Sequence, residues 1–280
     1  MGLISRTKQM EETLDILILG CGYTGQRVAK RFLGMGARVT ATTRNPQRLA
    51  GLGAEIINTA DLRKHVRPGM LVLHSIPPDG PEGLLDPLRN TARRLVYLSS
   101  TSVYGAASVV NESTPVDEGT DRARARLEAE RAIAEGPWSS LILRPAAIYG
   151  PGRGVQESIQ RGEHSVSDRF VSRIHVDDLA EHVEAALLST ISGPYPVADE
   201  EPCTSRDIAA FCARLLNVPV TPAGHKRADR MPRFANNRRV DGSSIRKALG
   251  IELNYPSYRV GIPAALSAET ITANAGGQKI

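Results

Sequence analysis

Aromatic residues make up only 4% of this 280-residue chain, and tryptophan occurs once. No nucleic-acid-binding motif appears, so base stacking is a poor basis for a function and no nucleic-acid partner is expected. Cysteine is nearly absent: Cys21, Cys203 and Cys212 are scattered and lack metal-ligand spacing. That excludes a disulfide framework or a zinc site, and no metal is expected. The three read as buried or incidental thiols, with a redox role for Cys21 as the outside reading. No apolar run approaches the ~18 residues that suggest a membrane span. The first residues, MGLISRTKQMEETL, lack the continuous apolar core of a secretory signal, so a cytoplasmic location is expected, with Met10 as a candidate alternative start. No internal repeat or low-complexity block is present. Hydrophobic content of 41% and charged content of 23% are those of a globular protein. The net charge of +5 suits phosphate-bearing ligands.

Against these absences stands LDILILGCGYTG at 14–25, an apolar run that ends in a glycine turn and opens a helical stretch. Gly20, Gly22 and Gly25 have the spacing G-x-G-x-x-G. The first suits a tight turn, the second allows close backbone approach to a pyrophosphate, and the third allows close helix–strand packing. The helix N-terminus offers free N–H groups to the phosphates. After the helix, the β-branched strand at 37–43 ends in Thr42, Thr43 and Arg44, with Arg48 beyond. An acidic residue in that slot selects NAD, whereas an arginine accommodates a 2′-phosphate. NADP is therefore the expected cofactor and NAD the alternative; a solvated surface charge is the bland reading of Arg44. Further strands are expected at 54–60, 70–76, 94–99 and 141–143. Their carboxyl ends carry Asp61, His74, Ser75, Ser100 and Pro145. The candidate cofactor-binding set is Gly20, Gly22, Tyr23, Thr24, Gly25, Thr43, Arg44, Asp61, His74, Ser75 and Pro145.

Strands alternating with helical patterns at 121–135 and 177–188 imply an α/β fold, a Rossmann-type doubly wound parallel sheet. The expected organisation is a dinucleotide-binding domain at 13–152, with a helix at 177–190 packing back on it. A stretch at 153–267 that is mostly a small C-terminal substrate lobe, and a mobile tail at 268–280, follow. Thr204 and Asp207 form an approximate capping box. Asp177 reads as a helix N-cap, and Asp177 and Asp178 as capping rather than catalytic carboxylates.

Several segments together resemble the extended short-chain dehydrogenases/reductases, the group that includes nucleotide-sugar epimerases and dehydratases. They are the glycine turn, YLSSTSVYG at 97–105, LRPAAIYGPGR at 143–153, RIHVDDLA at 173–180 and VDGSSIRKALG at 240–250. The resemblance implies a Ser or Thr after the fifth strand and a Tyr-x-x-x-Lys pair on the next helix. Ser100 falls at the serine position, with Thr101 as its alternative. The helix DRARARLEAERAIAE has neither tyrosine nor lysine. Aligning the family's usual glutamate with Glu130 puts Arg122 in the tyrosine slot and Arg126 in the lysine slot. Arginine stays protonated, so Arg122 is no proton donor and acceptor. The chain thus resembles atypical members that keep the dinucleotide fold but lose part of the active-site set. Tyr104, Tyr149 and His175 are candidate replacements, each with a competing role in packing turns. Arg144, Arg153 and Arg239 are candidate substrate residues. Arg227, Arg230, Arg233 and Arg238 extend the basic stretch, whose alternative reading is a solvated face. The expected activity is an NADP-binding oxidoreductase or epimerase-like enzyme for a small polar carbonyl or hydroxyl substrate, with a nucleotide-sugar among the options. The alternatives are a non-catalytic NADP-binding regulatory protein and a sugar-nucleotide binding module. The charged helix at 121–135 makes a poor dimer face, which leaves a monomer or a different homodimer.

Overall fold

The computed structural model describes residues 13–164, 166–219 and 237–276. Seven parallel strands form the main sheet: β1 (Asp15–Leu19), β2 (Arg38–Thr42), β3 (Glu55–Ile57), β4 (Met70–His74), β5 (Ala92–Leu98), β7 (Ser139–Pro145) and β11 (Gly193–Val197). Their spatial order is β11-β7-β5-β4-β1-β2-β3. The order reverses direction between β1 and β4, and a crevice opens there at the strands' carboxyl ends. Strands buried on both faces read as continuous apolar runs. Ile16 to Leu19 and Met70 to Leu73 are accordingly buried almost completely.

On one face, Ile16, Ile18, Leu71 and Leu73 pack against α1 (Tyr23–Gly34) and α5 (Val176–Leu188). On the other, Leu17, Leu19, Val72 and Tyr97 meet Ile133 and Trp138, at and just after the end of α3 (Asp121–Ala134), and Leu62 of α2 (Leu62–His65). Thr120 caps α3 by accepting the Ala123 N–H at 3.1 Å. A second, smaller core joins α4 (Val155–Gln160), α6 (Ser205–Leu216) and α8 (Tyr258–Gly276) through Ile159, Ile208, Cys212, Tyr258 and Ile262. Three two-stranded ladders connect the lobe to the sheet's crevice end: β8 (Ala147–Tyr149) with β10 (Arg173–His175), β9 (Phe170–Val171) with β12 (Cys203–Thr204), and β6 (Val109–Val110) with β13 (Arg239–Val240).

The structure adds detail to two expectations and corrects a third. Residues 193–197, expected in the substrate lobe, form an edge strand of the main sheet, and α7 (Ser243–Leu249) packs against that strand and α5. The tail expected from 268 is helical to Gly276 as part of α8. The N-cap of α5 is His175, whose Nδ1 accepts the Asp177 N–H at 3.3 Å. Asp177 instead pairs with Arg27 of α1 at 2.7 Å. Asp178 anchors the approach to α8: its carboxylate accepts from the Asn254 N–H and the Tyr255 N–H, each at 3.0 Å, and from Asn254 Nδ2 at 3.3 Å. The capping box of α6 is present at Thr204 and Asp207.

Asp178 is buried, so its removal strands two backbone donors. Asp178→Ala is expected to lower unfolding free energy by about 2–4 kcal/mol, measured by urea denaturation; a loss below ~0.5 kcal/mol would show that the anchor is dispensable.

Candidate active site at the crevice of the sheet

The turn between β1 and α1 is held from two sides. Gly20 has φ +87°, in the left-handed region, and a Cβ there would stand 2.9 Å from Ile76. Its N–H donates to Thr42 Oγ1 at 3.0 Å, and its carbonyl accepts from Ser75 Oγ at 2.6 Å. Gly25 packs helix to strand, since a Cβ would lie 3.0 Å from Gly20 O and 3.2 Å from Ile18. A Cβ on Gly22 would face nearly open space. Gly22 is the N-cap of α1, with no side-chain cap, and the first turn contains no acid. An uncapped helix end beside a side-chain-free approach is a cradle for an anion.

Around this turn, Tyr23 donates its hydroxyl to Pro151 O at 2.9 Å, and its ring lies under the guanidinium groups of Arg27 and Arg153. Burial pushes the Tyr23 phenol up to about 12. Arg153 thus stands at the glycine-turn end of the crevice. Thr24 is buried beside it, and Pro145 is buried at the end of β7. Thr43 accepts the Asn45 N–H at 3.1 Å. Arg44 is exposed just beyond β2 and pairs with no carboxylate among the described residues. Asp61, by contrast, binds Lys64 at 2.7 Å. Cys21 is buried in the core, where desolvation raises its thiol to about 11. The thiol is therefore inert at neutral pH, contrary to the redox reading.

At the carboxyl end of β5, Ser100 is partly exposed and accepts the Ser102 N–H at 3.2 Å, starting the short turn that carries Thr101 and Tyr104. Arg238 braces that turn with hydrogen bonds to the carbonyls of Thr101, Gly105 and Ala107. Its position far along the chain gave no sequence signal for this role. Arg239 is exposed and stacks on Phe170 at 3.5 Å. Arg227, Arg230 and Arg233 lie outside the described residues.

Four expected site residues are committed elsewhere. Arg144 is buried, and it grips Glu130 through Nη2 at 2.6 Å and Nε at 3.1 Å while donating to Tyr104 Oη at 3.1 Å. It ties α3 to the sheet. Tyr104 is buried in that same contact. Tyr149 is buried and donates to Ser257 O at 3.2 Å, with its phenol raised far above the ordinary range by burial. His175 packs against the Tyr255 ring, tilted at 3.8 Å, and meets the Tyr149 ring edge-on at 5.2 Å. Tyr104 and Tyr149 hold turns together; His175 does so through Nδ1, while its Nε2 is buried without a hydrogen-bond partner among the described residues.

A different set of polar groups stands free. His74 Nδ1, Tyr97 Oη, Ser102 Oγ and Arg126 Nε are all buried without a hydrogen-bond partner among the described residues. His74 meets the Tyr97 ring edge-on at 5.2 Å, and both line a cavity of about 310 Å³ beneath Pro77, Pro78 and Leu84. Arg126 acts electrostatically on Tyr97 and on Asp79 of the loop after β4. Buried polar atoms are normally paired, so such a concentration at strand ends marks a place built for a ligand. Tyr97 is a residue that sequence reading missed: it looked like an ordinary strand position, and only the sheet's pleat turns it toward α3.

A sequence model of the NAD dependent epimerase/dehydratase family matches residues 78–193. A conserved protein of unknown function from Silicibacter pomeroyi is 31% identical, with a TM-score of 0.78, over 91% of this chain and 99% of that one. The chain belongs to the NAD-dependent epimerase/dehydratase family. It is also 28% identical over 199 residues to a 3-diazoavenalumate denitrifying reductase of Streptomyces, spanning 61% of this chain and 64% of that reductase's length. The Bordetella bronchiseptica enzyme WbmG, solved with NAD and UDP, shares the fold at 15% identity, with a TM-score of 0.74 over 93% of this chain and 96% of that one. Within this family frame, Glu130 holds Arg144 and Ser99, so Arg126 and Arg122, one and two turns earlier on α3, rise along the same stripe toward the crevice. Among the described residues no cluster of three or more metal-ligating side chains occurs, and no helix is long and apolar enough to cross a membrane.

Burial holds His74, His175 and His182 at about 4, below the ordinary 6.5. Between those values the unfolded chain binds protons that the folded chain does not, so stability falls as pH drops from about 6.5 to about 4. Asp199, raised by burial to about 8, and Asp178, also raised, act in the opposite sense but are outnumbered. Urea denaturation is expected to show unfolding free energy decreasing from pH 6.5 to 4.5; a flat or rising profile would mean that the histidines take up protons in the folded state.

Proposed function

We propose that the protein is an NADP(H)-dependent oxidoreductase that reduces a small polar substrate at the crevice beside Ser100. The observation that carries the reading is the intact glycine cradle with Arg44 exposed and unpaired at the end of the neighbouring strand. Gly22 leaves room for the pyrophosphate, the first turn of α1 supplies N–H donors, and Arg44 with Thr43 meets the 2′-phosphate. Thr24 lines the same cradle. Asp61, His74, Ser75 and Pro145 edge the adenine and nicotinamide ends, with Ser75 acting through the turn it clamps. The bound nicotinamide supplies a hydride. Ser100, with Thr101 beside it, orients the group that accepts it.

The composition of α3 favours reduction over epimerisation. Epimerisation needs a group that removes a hydroxyl proton and later returns it, a role closed to Arg122, whereas a reduction needs only one proton for the atom that has received the hydride, which water can supply at the partly exposed Ser100 hydroxyl. The Streptomyces relative, named as a reductase of a diazo compound, supports the same direction. Arg153 and Arg239 are the substrate-side cations of this reading. The lobe built from α4, α6 and α8 covers the substrate, and a nucleotide-linked substrate remains within the class because WbmG was solved with UDP. The absent tyrosine is also the specific observation that favours a second reading, a non-catalytic NADP-binding regulator.

NADPH is expected to raise the melting temperature more than NADH at equal concentration, since preferential binding to the folded state stabilises it by mass action. Arg44→Asp should narrow or reverse the difference, and equal shifts in the wild type would rule out the NADP preference. Once turnover of a reducible substrate is measured with NADPH, Ser100→Ala is expected to lower kcat by about 10–100-fold. Unchanged kcat would remove Ser100 from the chemistry, and the absence of any turnover with tight NADPH binding would favour the regulator.

A further inference from the structure

Helix α3 carries four arginines, and they divide into two pairs. Arg124 is bound by Asp121 and Arg131 by Glu118, both on the solvent side. Arg122 and Arg126, which occupy the crevice stripe, have no ion pair among the described residues. Arg126 is half-buried; its Nε has no acceptor among the described residues, and the Tyr97 hydroxyl that it approaches is neutral and leaves its charge unmatched. A guanidinium taken out of water costs free energy unless an anion meets it. Among the described residues, the protein's own acids do not serve. Glu130, one turn further, is already matched by Arg144, and Asp79 influences Arg126 without reaching ion-pair distance. Arg126 feels both the like charge of Arg122 and the opposite charge of Asp79, so the three groups carry one net positive charge, which a single carboxylate neutralises. The planar fork of arginine, with Nε free, suits the two oxygens of that group.

On the oxidoreductase reading above, we infer that Arg122 and Arg126 form a carboxylate-binding subsite, which grips an acidic substrate beside Ser100 from the two slots expected to hold tyrosine and lysine. The helix thereby exchanges a proton-moving function for a charge-holding one. Substrates of this class carry a carboxylate within reach of the carbon or nitrogen that receives the hydride. Desolvation, reinforced by Arg122, depresses the Arg126 pKa, which an anion in the subsite would reverse.

The test uses the full chain saturated with NADPH and titrated by calorimetry with cinnamate and with its neutral amide, cinnamamide. Cinnamate should bind at least about tenfold more tightly. Arg126→Gln and, separately, the exposed Arg122→Gln should abolish that preference while NADPH affinity stays within about twofold. Equal binding of acid and amide, or no binding of the acid, would overturn the inference. A matching loss of NADPH affinity in the variants would overturn it too, because the arginines would then hold the cofactor. Failure of the wild type to bind NADPH at all would instead remove the oxidoreductase reading. Arg126→Met in the ligand-free chain gives an independent readout. Relief of an unpaired guanidinium should raise the melting temperature, whereas a drop would show that Arg126 serves only the packing of α3.

Discussion

Gly20 is suspended between two hydroxyls that belong to different strands. Thr42, at the end of β2, receives its N–H, and Ser75, just beyond β4, donates to its carbonyl. Both partners exist only because β1 lies between β2 and β4 in the sheet. The left-handed turn at Gly20 is therefore paid for by the order of the strands, and the order is in turn fixed by the apolar runs that the strands bury. With that turn in place, α1 begins with no side-chain cap and no acid. Its free N–H groups point to the crevice, and the exposed Arg44 stands at its rim. A dinucleotide site follows from a constraint of three strands, not from the three glycines by themselves.

The second constraint is the buried Glu130–Arg144 pair. Removing one partner of such a pair leaves an uncompensated charge, which makes the contact costly to lose even where its net contribution to stability is small. Here it fixes the rotation of α3 about its axis. Because 126 and 122 follow 130 at intervals of four residues, their direction is set by the same lock. The unpaired guanidiniums at the crevice are thus presented by a structural ion pair one turn below them. Arg238 does for the Ser100 turn what Glu130 does for the helix, holding it from the far end of the chain through three backbone carbonyls.

Much of the sheet was legible in the sequence because parallel strands covered on both faces leave an uninterrupted apolar signal, as in LILIL-like and MLVL runs. The edge strand Gly193–Val197 was not, since Pro194 and Pro196 argue against a strand. An edge position, with one side lacking a partner, tolerates their missing N–H groups. The cap of α5 escaped notice because histidine is a rare capping residue, and the motif's two aspartates offered a more ordinary choice. Arg144 looked like a ligand-binding residue because its partner lies on another element, fourteen residues earlier. Pairing across elements depends on how the helix docks, which no local pattern encodes.

What local reading did establish was a contradiction: a family-like glycine turn and serine turn beside a helix lacking the residues that usually move the proton. The structure resolves part of it physically. The candidate replacements Tyr104, Tyr149 and His175 are sunk into turns, where desolvation keeps the phenols protonated and the imidazole neutral. Tyr104 is engaged there by Arg144, Tyr149 by the Ser257 carbonyl and His175 by the Asp177 N–H. Arg126, Tyr97 and His74 are among the buried groups left without a hydrogen-bond partner in the described residues, and they gather where β4 and β5 meet α3. A site of this composition stabilises negative charge far better than it shuttles protons, so it suits a hydride acceptor already carrying an anionic handle. The same arginines are a poor match for a neutral sugar ring whose hydroxyl must be deprotonated and reprotonated in place.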